Sequence, residues 1–582
     1  MAGKTEATKT LEQSFYADGQ QQPSADLPPL AAAFLIVFDL KVGYTIAWKR
    51  NIDGVNLDGV VEFKSLPSGL HNIKEDLVYF VHDEYAGVSA FENSPATEAE
   101  RNAHFVAVGI LVPLSYGRLG RSWLYDEQLR QLARALVNDT KNIQPLEGFW
   151  EEHRSQDATS SSFPASSPST NRNDGSITTQ PNGGRRKRAL STLTTLATPG
   201  RALPQSHPIL SMPKYIDTFG PLLFPLHRAA LLRKRILLVT HPPVRLACEF
   251  VYDISALSTI SSALAEDLPP EANQFARSTP LFAVGVHDIP LITSLAKAAV
   301  SKDGETTGGW IACTTDEILA IKKELYDIVV QLPNGSPRRW PTIKTSAGEE
   351  IKATQRDLRR WRTLQLALEI SATQANTDEE NDRAVHDDED EGAGLLSRRH
   401  AGFDGTHDQT EYDSIIEPTS WSALAYSGFM WWASAGERDA TLDQEAEQDA
   451  QLNGDLEHAP PPPSPERYRD EPNEEANGEP VEAPTGVDST LHMELLAYFH
   501  RYTHQILTAA TGAIDSESGG HTDGNEDSDE EITVGDDDLC RMGLDAWSEH
   551  DRAFVVELME KYYGRRAVVK GAGIECCGIR IC

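Results

Sequence analysis

The chain has 582 residues, with 88 Asp and Glu against 53 Lys and Arg, a formal net charge of −35. That balance argues against a nucleic-acid binder, which needs a basic face for phosphate, while a hydrophobic fraction of 40% is enough for real cores. Three stretches, 378–391, 438–482 and 515–538, carry 34 acidic and 4 basic residues, and so 30 of the 35 net negative charges; the remainder is only mildly acidic.

At roughly 100–200 residues per domain, the length predicts three or four domains, less any disorder. Residues 1–29 are polar, lack the apolar core of a signal peptide and read as a disordered leader. Order begins at Leu30. The run Phe34-Leu35-Ile36-Val37-Phe38 suits a buried strand, and Tyr44, Ile46 and Trp48 alternate as a half-buried second one. A hairpin at 78–91 turns at His82-Asp83-Glu84, and 105–112 is a fifth strand stopped by Pro113. Leu124, Leu129, Leu132 and Leu136 recur at helical spacing over 123–137. Two hairpins, a fifth strand and a packing helix predict a small α+β module at 30–154.

Residues 155–206 are rich in Ser, Thr, Asn, Gly and Pro and read as linker. Its Arg185-Arg186-Lys187-Arg188 run is an exposed basic patch, with a nuclear signal as the alternative. From 207 to 373, helices alternate with short apolar strands at 235–239, 281–286, 310–313 and 326–332, which predicts an α/β domain. One helix spans 215–235, a second opens at Pro242-Pro243 and runs to about 264, and a third covers 353–371. In the third, Leu358, Trp361, Leu364 and Leu368 turn inward. Arg356, Arg359, Arg360 and Arg362 crowd the remaining surface; a solvated helix side is the simpler reading, with an anionic contact as the alternative for which they are the candidates.

An acidic linker follows at 374–413, then an ordered Trp-rich segment at 414–437 and a longer acidic, Pro-rich linker at 438–487. In the segment, Trp421, Leu424, Gly428, Trp431 and Trp432 lie at helical spacing with Tyr426, Phe429 and Met430 on the other sides. A helix apolar nearly all round is a buried one; an aromatic membrane-dipping segment is the alternative. It is short of the ~20 apolar residues that a spanning helix needs. Residues 488–582 read as C-terminal helices. Leu491, Leu495, Tyr498, Tyr502 and Ile506 share one face, and Ser548 and Asp551 are spaced like a capping box. Ser528-Asp529-Glu530-Glu531 looks like an acid-directed kinase site inside a solvated spacer.

Three of the six cysteines, Cys576, Cys577 and Cys582, fall in the last seven residues. They are lipidation candidates by S-palmitoylation, with a buried apolar tail as the competing reading. No CxxC pair or zinc spacing occurs, and so few cysteines suit a reducing, cytoplasmic compartment with any membrane contact peripheral. The chain carries no phosphate loop, no GxGxxG after a strand, no GxSxG and no HExxH. No catalytic, cofactor-binding or metal-binding residue is therefore nominated, and no cofactor is expected.

Three ordered blocks carry a family resemblance. FLIVFDLKVGYTIAWKR (34–50), VEFKSLPSGLHNIKEDLVYFVHDEYAGVSAFEN (61–93) and VAVGILVPLSYGRLGRSW (106–123) resemble the upstream, longin-like part of the LCHN branch of DENN proteins. YIDTFGPLLFPLHRAALLRKRILLV (215–239) looks like the start of the central DENN domain of that branch. EPTSWSALAYSGFMWWASAGE (417–437) looks like a C-terminal signature of its fungal members. The resemblance implies a longin-like five-stranded module plus an α/β DENN core, joined by disordered acidic linkers. It also implies a Rab-class small GTPase as partner, usually through guanine nucleotide exchange in vesicle traffic. The alternatives are a non-catalytic scaffold at an organelle surface such as a lipid droplet, or a regulator of another GTPase class. The family offers no short catalytic motif to carry over.

Overall fold

In the computed structural model the described residues are 27–39, 41, 43–66, 68–69, 72–94, 104–154, 203–298, 309–334, 339–384, 412–419, 424, 435–454, 456, 486–487, 490–518, 531–570, 575–576 and 579–580. They divide into two compact units, one within 17–196 and the other within 197–582, the loop 67–73 counting with the second.

The first unit is an antiparallel sheet of β1 (Ala32–Asp39), β2 (Gly43–Asn51), β3 (Glu75–His82), β4 (Tyr85–Ser94) and β5 (His104–Pro113), in the order β3-β4-β5-β1-β2. The apolar runs decide it: Leu30 to Ile36 and Val106 to Val108 are buried almost without interruption, which is how strands covered on both faces read. The polar turn between β3 and β4 is made by Asp83 at φ 51, a left-handed conformation that Asp tolerates. A bulge sits where Leu35 faces Trp48 but Ile36 faces Ile46.

Helix α1 (Asp126–Asn138) follows a short 3-10 turn at Ser122–Tyr125. It buries Leu129, Ala133 and Leu136, whereas Leu132 stays half-buried. Two polar contacts seat it on the sheet: Tyr79 donates to Asp126 Oδ2 at 2.6 Å, and Arg134 to Glu75 at 2.8 Å. Helix α2 (Gln144–His153) is not legible as a separate element in the sequence. It buries Leu146, Phe149 and Trp150, and its Glu147 accepts from Trp48 Nε1 at 2.9 Å. Leu30 N donates to His153 O at 2.9 Å, so the unit closes where it began.

The second unit begins with β6 (Leu203–Pro204), α3 (Met212–Phe219) and α4 (Leu223–Leu231). Then β7 (Ile236–Val239), α5 (Arg245–Leu257), β8 (Thr279–Ala283), α6 (Ile289–Ala298), β9 (Trp310–Thr314) and β10 (Ile328–Gln331) alternate. Strands β10, β7, β9 and β8 lie side by side in that order and are parallel. A hairpin of β11 (Thr342–Thr345) and β12 (Glu350–Ile351) adds antiparallel strands beyond β10. Leu237, Leu281, Trp310 and Ala312 from the strands meet Ile292 of α6 and Leu319 in one apolar layer.

Around that sheet stand α7 (Gln355–Ala384), α8 (Ala435–Asn453), α9 (Thr490–Ser518), α10 (Asp536–Arg541) and α11 (Glu549–Tyr563). Strand β13 (Gly486–Val487) pairs with β6, and β14 (Ile532–Val534) with β15 (Ala567–Val569). A last hairpin joins β16 (Glu575–Cys576) to β17 (Ile579–Arg580).

Several expectations need correction. The helix expected over 215–235 is two helices, broken at Gly220-Pro221. Pro221 has no N–H to donate, and Gly220 at φ 52 lies so close to Trp340 that a Cβ would sit 2.4 Å from its ring. The helix expected to reach 264 ends at Leu257, where buried Arg233 takes the carbonyls of Ser258, Ala230 and Phe275. A separate short helix, Ser262–Glu266, follows with Ser261 as its cap. Helix α7 runs on to Ala384, into the stretch read as acidic linker. The largest correction is α8, Ala435–Asn453, most of which lies beyond 438, where a solvated acidic spacer was expected.

Candidate functional site

The most concentrated chemistry of the second unit is a buried ion cluster assembled from five helices. Two helix starts aim a carboxylate at it. Thr354 Oγ1 accepts from Asp357 N at 3.1 Å while Thr354 N donates to Asp357 Oδ2 at 3.0 Å, a reciprocal cap for α7. At α11, Ser548 Oγ accepts from Asp551 N at 3.3 Å, but the Asp551 carboxylate accepts from Asp545 N at 2.8 Å instead of returning to Ser548. The Ser548–Asp551 pair is therefore half a capping box.

Both carboxylates meet Arg228 of α4. Its guanidinium donates to Asp357 through two bonds, 2.8 and 2.7 Å, lies 3.1 Å from Asp551 and reaches Tyr502 of α9 at 3.2 Å. Burial alone would raise Asp357, but the charge and hydrogen bonds of Arg228, with Arg360 nearby, hold it below the ordinary carboxylate range. Burial raises Asp551 to about 7, with Arg228 opposing it. His227, next to Arg228, is pushed down to about 3 by burial and donates to or accepts from Thr503 at 2.9 Å.

This cluster absorbs half of the arginines singled out for an anionic contact. Arg360 is fully buried; it donates to Asp449 at 3.0 Å and to Gly543 O at 2.8 Å, over the Tyr502 ring at 4.6 Å. Arg356, 1% exposed, donates to Gln448 at 2.8 Å and to the carbonyls of Cys540 and Leu544. Neither crowds an outer surface, because α8 and α10 lie over that side of α7. Arg359 is exposed and paired with Glu445, and Arg362 is half-buried. Each of the cluster's three buried arginines thus faces a carboxylate, Arg228 that of Asp357, Arg360 that of Asp449 and Arg356 that of Glu445 at 3.7 Å, which is how a buried charge is compensated. Leu358, Trp361 and Leu364 are buried as expected, whereas Leu368 is only half-buried.

An exposed feature lies elsewhere in the unit, past the carboxyl ends of β8 and β9. Val286, Leu291, Ile318 and Ile321 are 39, 43, 53 and 75% exposed. They occupy the two segments that follow these neighbouring parallel strands, and Val286 N donates to Asp316 Oδ2 at 3.1 Å, tying one segment to the other. Beneath them Ile292 and Leu319 anchor in the apolar layer. Sequence pattern does not reveal this patch, because Ile318 and Ile321 look like core residues until Leu319 is seen to be the one that points in.

Among the lipidation candidates, Cys576 ends β16, while Cys577 and Cys582 lie outside the described residues, as do Trp421, Trp431, Trp432 and Ser528. No helix among the described residues is long and apolar enough to cross a membrane. No group of three or more His, Cys, Asp or Glu among them could hold a metal ion.

Comparison with known proteins divides the chain in two. Residues 33–340 match the family described as DENN domain-containing protein 11, and residues 416–582 match a domain of unknown function (DUF4484). DENN domain-containing protein 11 of Xenopus laevis is 31% identical over 366 residues, 60% of this chain and 73% of that one. Its counterpart in Danio rerio is 33% identical over 327 residues, 56% of this chain and 58% of that one. The uncharacterized protein ANR2 of Saccharomyces cerevisiae is 23% identical over 583 residues, 95% of both chains.

Proposed function

The chain belongs to the family of DENN domain-containing protein 11, and from that we infer that it regulates a Rab-class small GTPase in membrane traffic. The observation that carries the reading is the family match across 33–340, which takes in the whole antiparallel sheet and the four parallel strands. DENN domain proteins act in general as exchange-factor-like regulators of Rab GTPases. The chemistry asked of such a protein is differential binding. It holds the nucleotide-free GTPase more tightly than the GDP-bound one and thereby lowers the barrier to GDP release. That requires a surface and no nucleophile.

The surface we nominate is the apolar patch of Val286, Leu291, Ile318 and Ile321. Exposed apolar residues grouped on neighbouring segments mark interaction sites more often than chance, and the carboxyl ends of parallel strands are where α/β sheets bind their ligands. The test is release of a fluorescent GDP analogue from a panel of Rab GTPases. Wild type accelerates release from at least one member, and the Ile318→Asp, Ile321→Asp double variant, checked for an unchanged melting temperature, loses most of that acceleration. Stable binding without acceleration for every member turns the reading into a scaffold. Full activity in the double variant removes the patch.

A further inference from the structure

We propose that Cys248 and Cys313 are a modification site, a reversible dithiol–disulfide pair that pins α5 to the parallel sheet. The two residues lie 65 positions apart, and their sulfurs are 3.5 Å from one another. Cys248 sits in the first turns of α5 and Cys313 near the carboxyl end of β9, between Leu238 of β7 and Ala283 of β8. Both are fully buried. A disulfide needs the sulfurs at about 2.05 Å. The two sulfurs already face each other across elements that pack together, so forming the bond asks for a local approach and no rearrangement of the fold.

Burial decides which oxidant can act. Bulky or charged disulfides do not reach the pair, so the co-reactant is a small neutral peroxide. One thiol loses its proton and its sulfur attacks a peroxide oxygen; the O–O bond breaks, water leaves, and a sulfenic acid remains. The second sulfur attacks that sulfenic sulfur, the S–S bond forms, and the hydroxyl departs with the remaining thiol proton as a second water. Two S–H bonds are exchanged for one S–S bond, and two electrons pass to the peroxide. The same restriction on access holds for the reverse step, so a small dithiol, attacking one sulfur and then displacing itself as its own ring disulfide, restores both thiols.

The alternative is that the two cysteines are ordinary small apolar fillers. The two readings differ on the full chain treated with hydrogen peroxide while folded, then alkylated under denaturing conditions and digested. The pair predicts a peptide linked through Cys248 and Cys313, its disappearance with dithiothreitol, and a higher melting temperature of the oxidised protein, because a crosslink restricts the unfolded chain. The Cys248→Ala variant gives no linked peptide and no shift on oxidation. If both cysteines of wild type remain alkylatable after peroxide treatment, the proposal fails. It fails equally if the linked peptide arises only from protein unfolded beforehand. Both of these outcomes are read on wild type, so they hold even if the variant does not fold.

Discussion

Arg228 faces two carboxylates with one guanidinium, and the two do not share it equally. Asp357 receives the planar fork and its cap at the start of α7; Asp551 receives one longer approach. Asp357→Asn should therefore destabilise the protein by roughly 3–5 kcal/mol, the cost of leaving a buried partner uncompensated, read from the urea midpoint. Asp551→Asn should cost clearly less at neutral pH, since a carboxyl raised to about 7 is already protonated in much of the folded population. The pH dependence follows the same asymmetry. Between about pH 4 and 7 the folded chain keeps a proton on Asp551 that the unfolded chain has released, so this residue lowers stability as pH rises across that window. Denaturation series at several pH values should show that fall in wild type and its loss in Asp551→Asn. In the sequence, Ser548-x-x-Asp551 is visible as a cap, and Thr354-x-x-Asp357 has the same signature. Spacing shows that each acid starts a helix; it does not show that both starts converge on one arginine 129 residues from the nearer of them.

Helix α8 illustrates how composition misleads at the scale of an element. Fourteen acids over 438–482 look like a solvated spacer, because acidity by itself does not distinguish a charge facing water from one facing a guanidinium. Glu445 and Asp449 stand one turn apart on one side, with Gln448 between them, and all three meet the arginines of α7. That i, i+4 spacing is the readable signal. The Glu445→Ala, Asp449→Ala double variant should free α8 first, and hydrogen exchange over 435–453 should quicken by orders of magnitude while that of β1 to β5 is unchanged. Equal protection in variant and wild type would mean that apolar contacts alone hold the helix. The five strands of the first unit and the four parallel strands of the second, by contrast, are legible to within a few residues, since continuous apolar runs bounded by Pro, Gly and Asp leave few other readings; the hairpin of β11 and β12 and the short strands of the second unit are not, because two to four residues carry no period. The interruption at Gly220 is hidden, because it depends on where Trp340 lands.

At the scale of the second unit, the part of the first matched region that lies in it, 203–340, and the second matched region, 416–582, share one interior. Tyr502 and Asp551 from the second complete the environment of Arg228 from the first, and Tyr562 donates to Leu231 O at 2.7 Å across 331 residues. A chain truncated after Ala384 should fail to give a monomer: it strands Arg228 and Arg360 without Asp551 and Asp449 and uncovers the face that Leu495, Tyr498 and Tyr502 fill. Size-exclusion chromatography and dye binding to exposed apolar surface would show this, and co-expression of 412–582 should restore a soluble complex. None of this interlocking is readable from local pattern, because pairing across hundreds of residues leaves no period in the sequence. It does leave a mark on inheritance. An interior in which each buried arginine of the cluster faces a carboxylate admits few single steps, since a lineage that gave up Arg360 would have to give up Asp449 close behind it. Descendants of this chain should differ at these positions by whole exchanges.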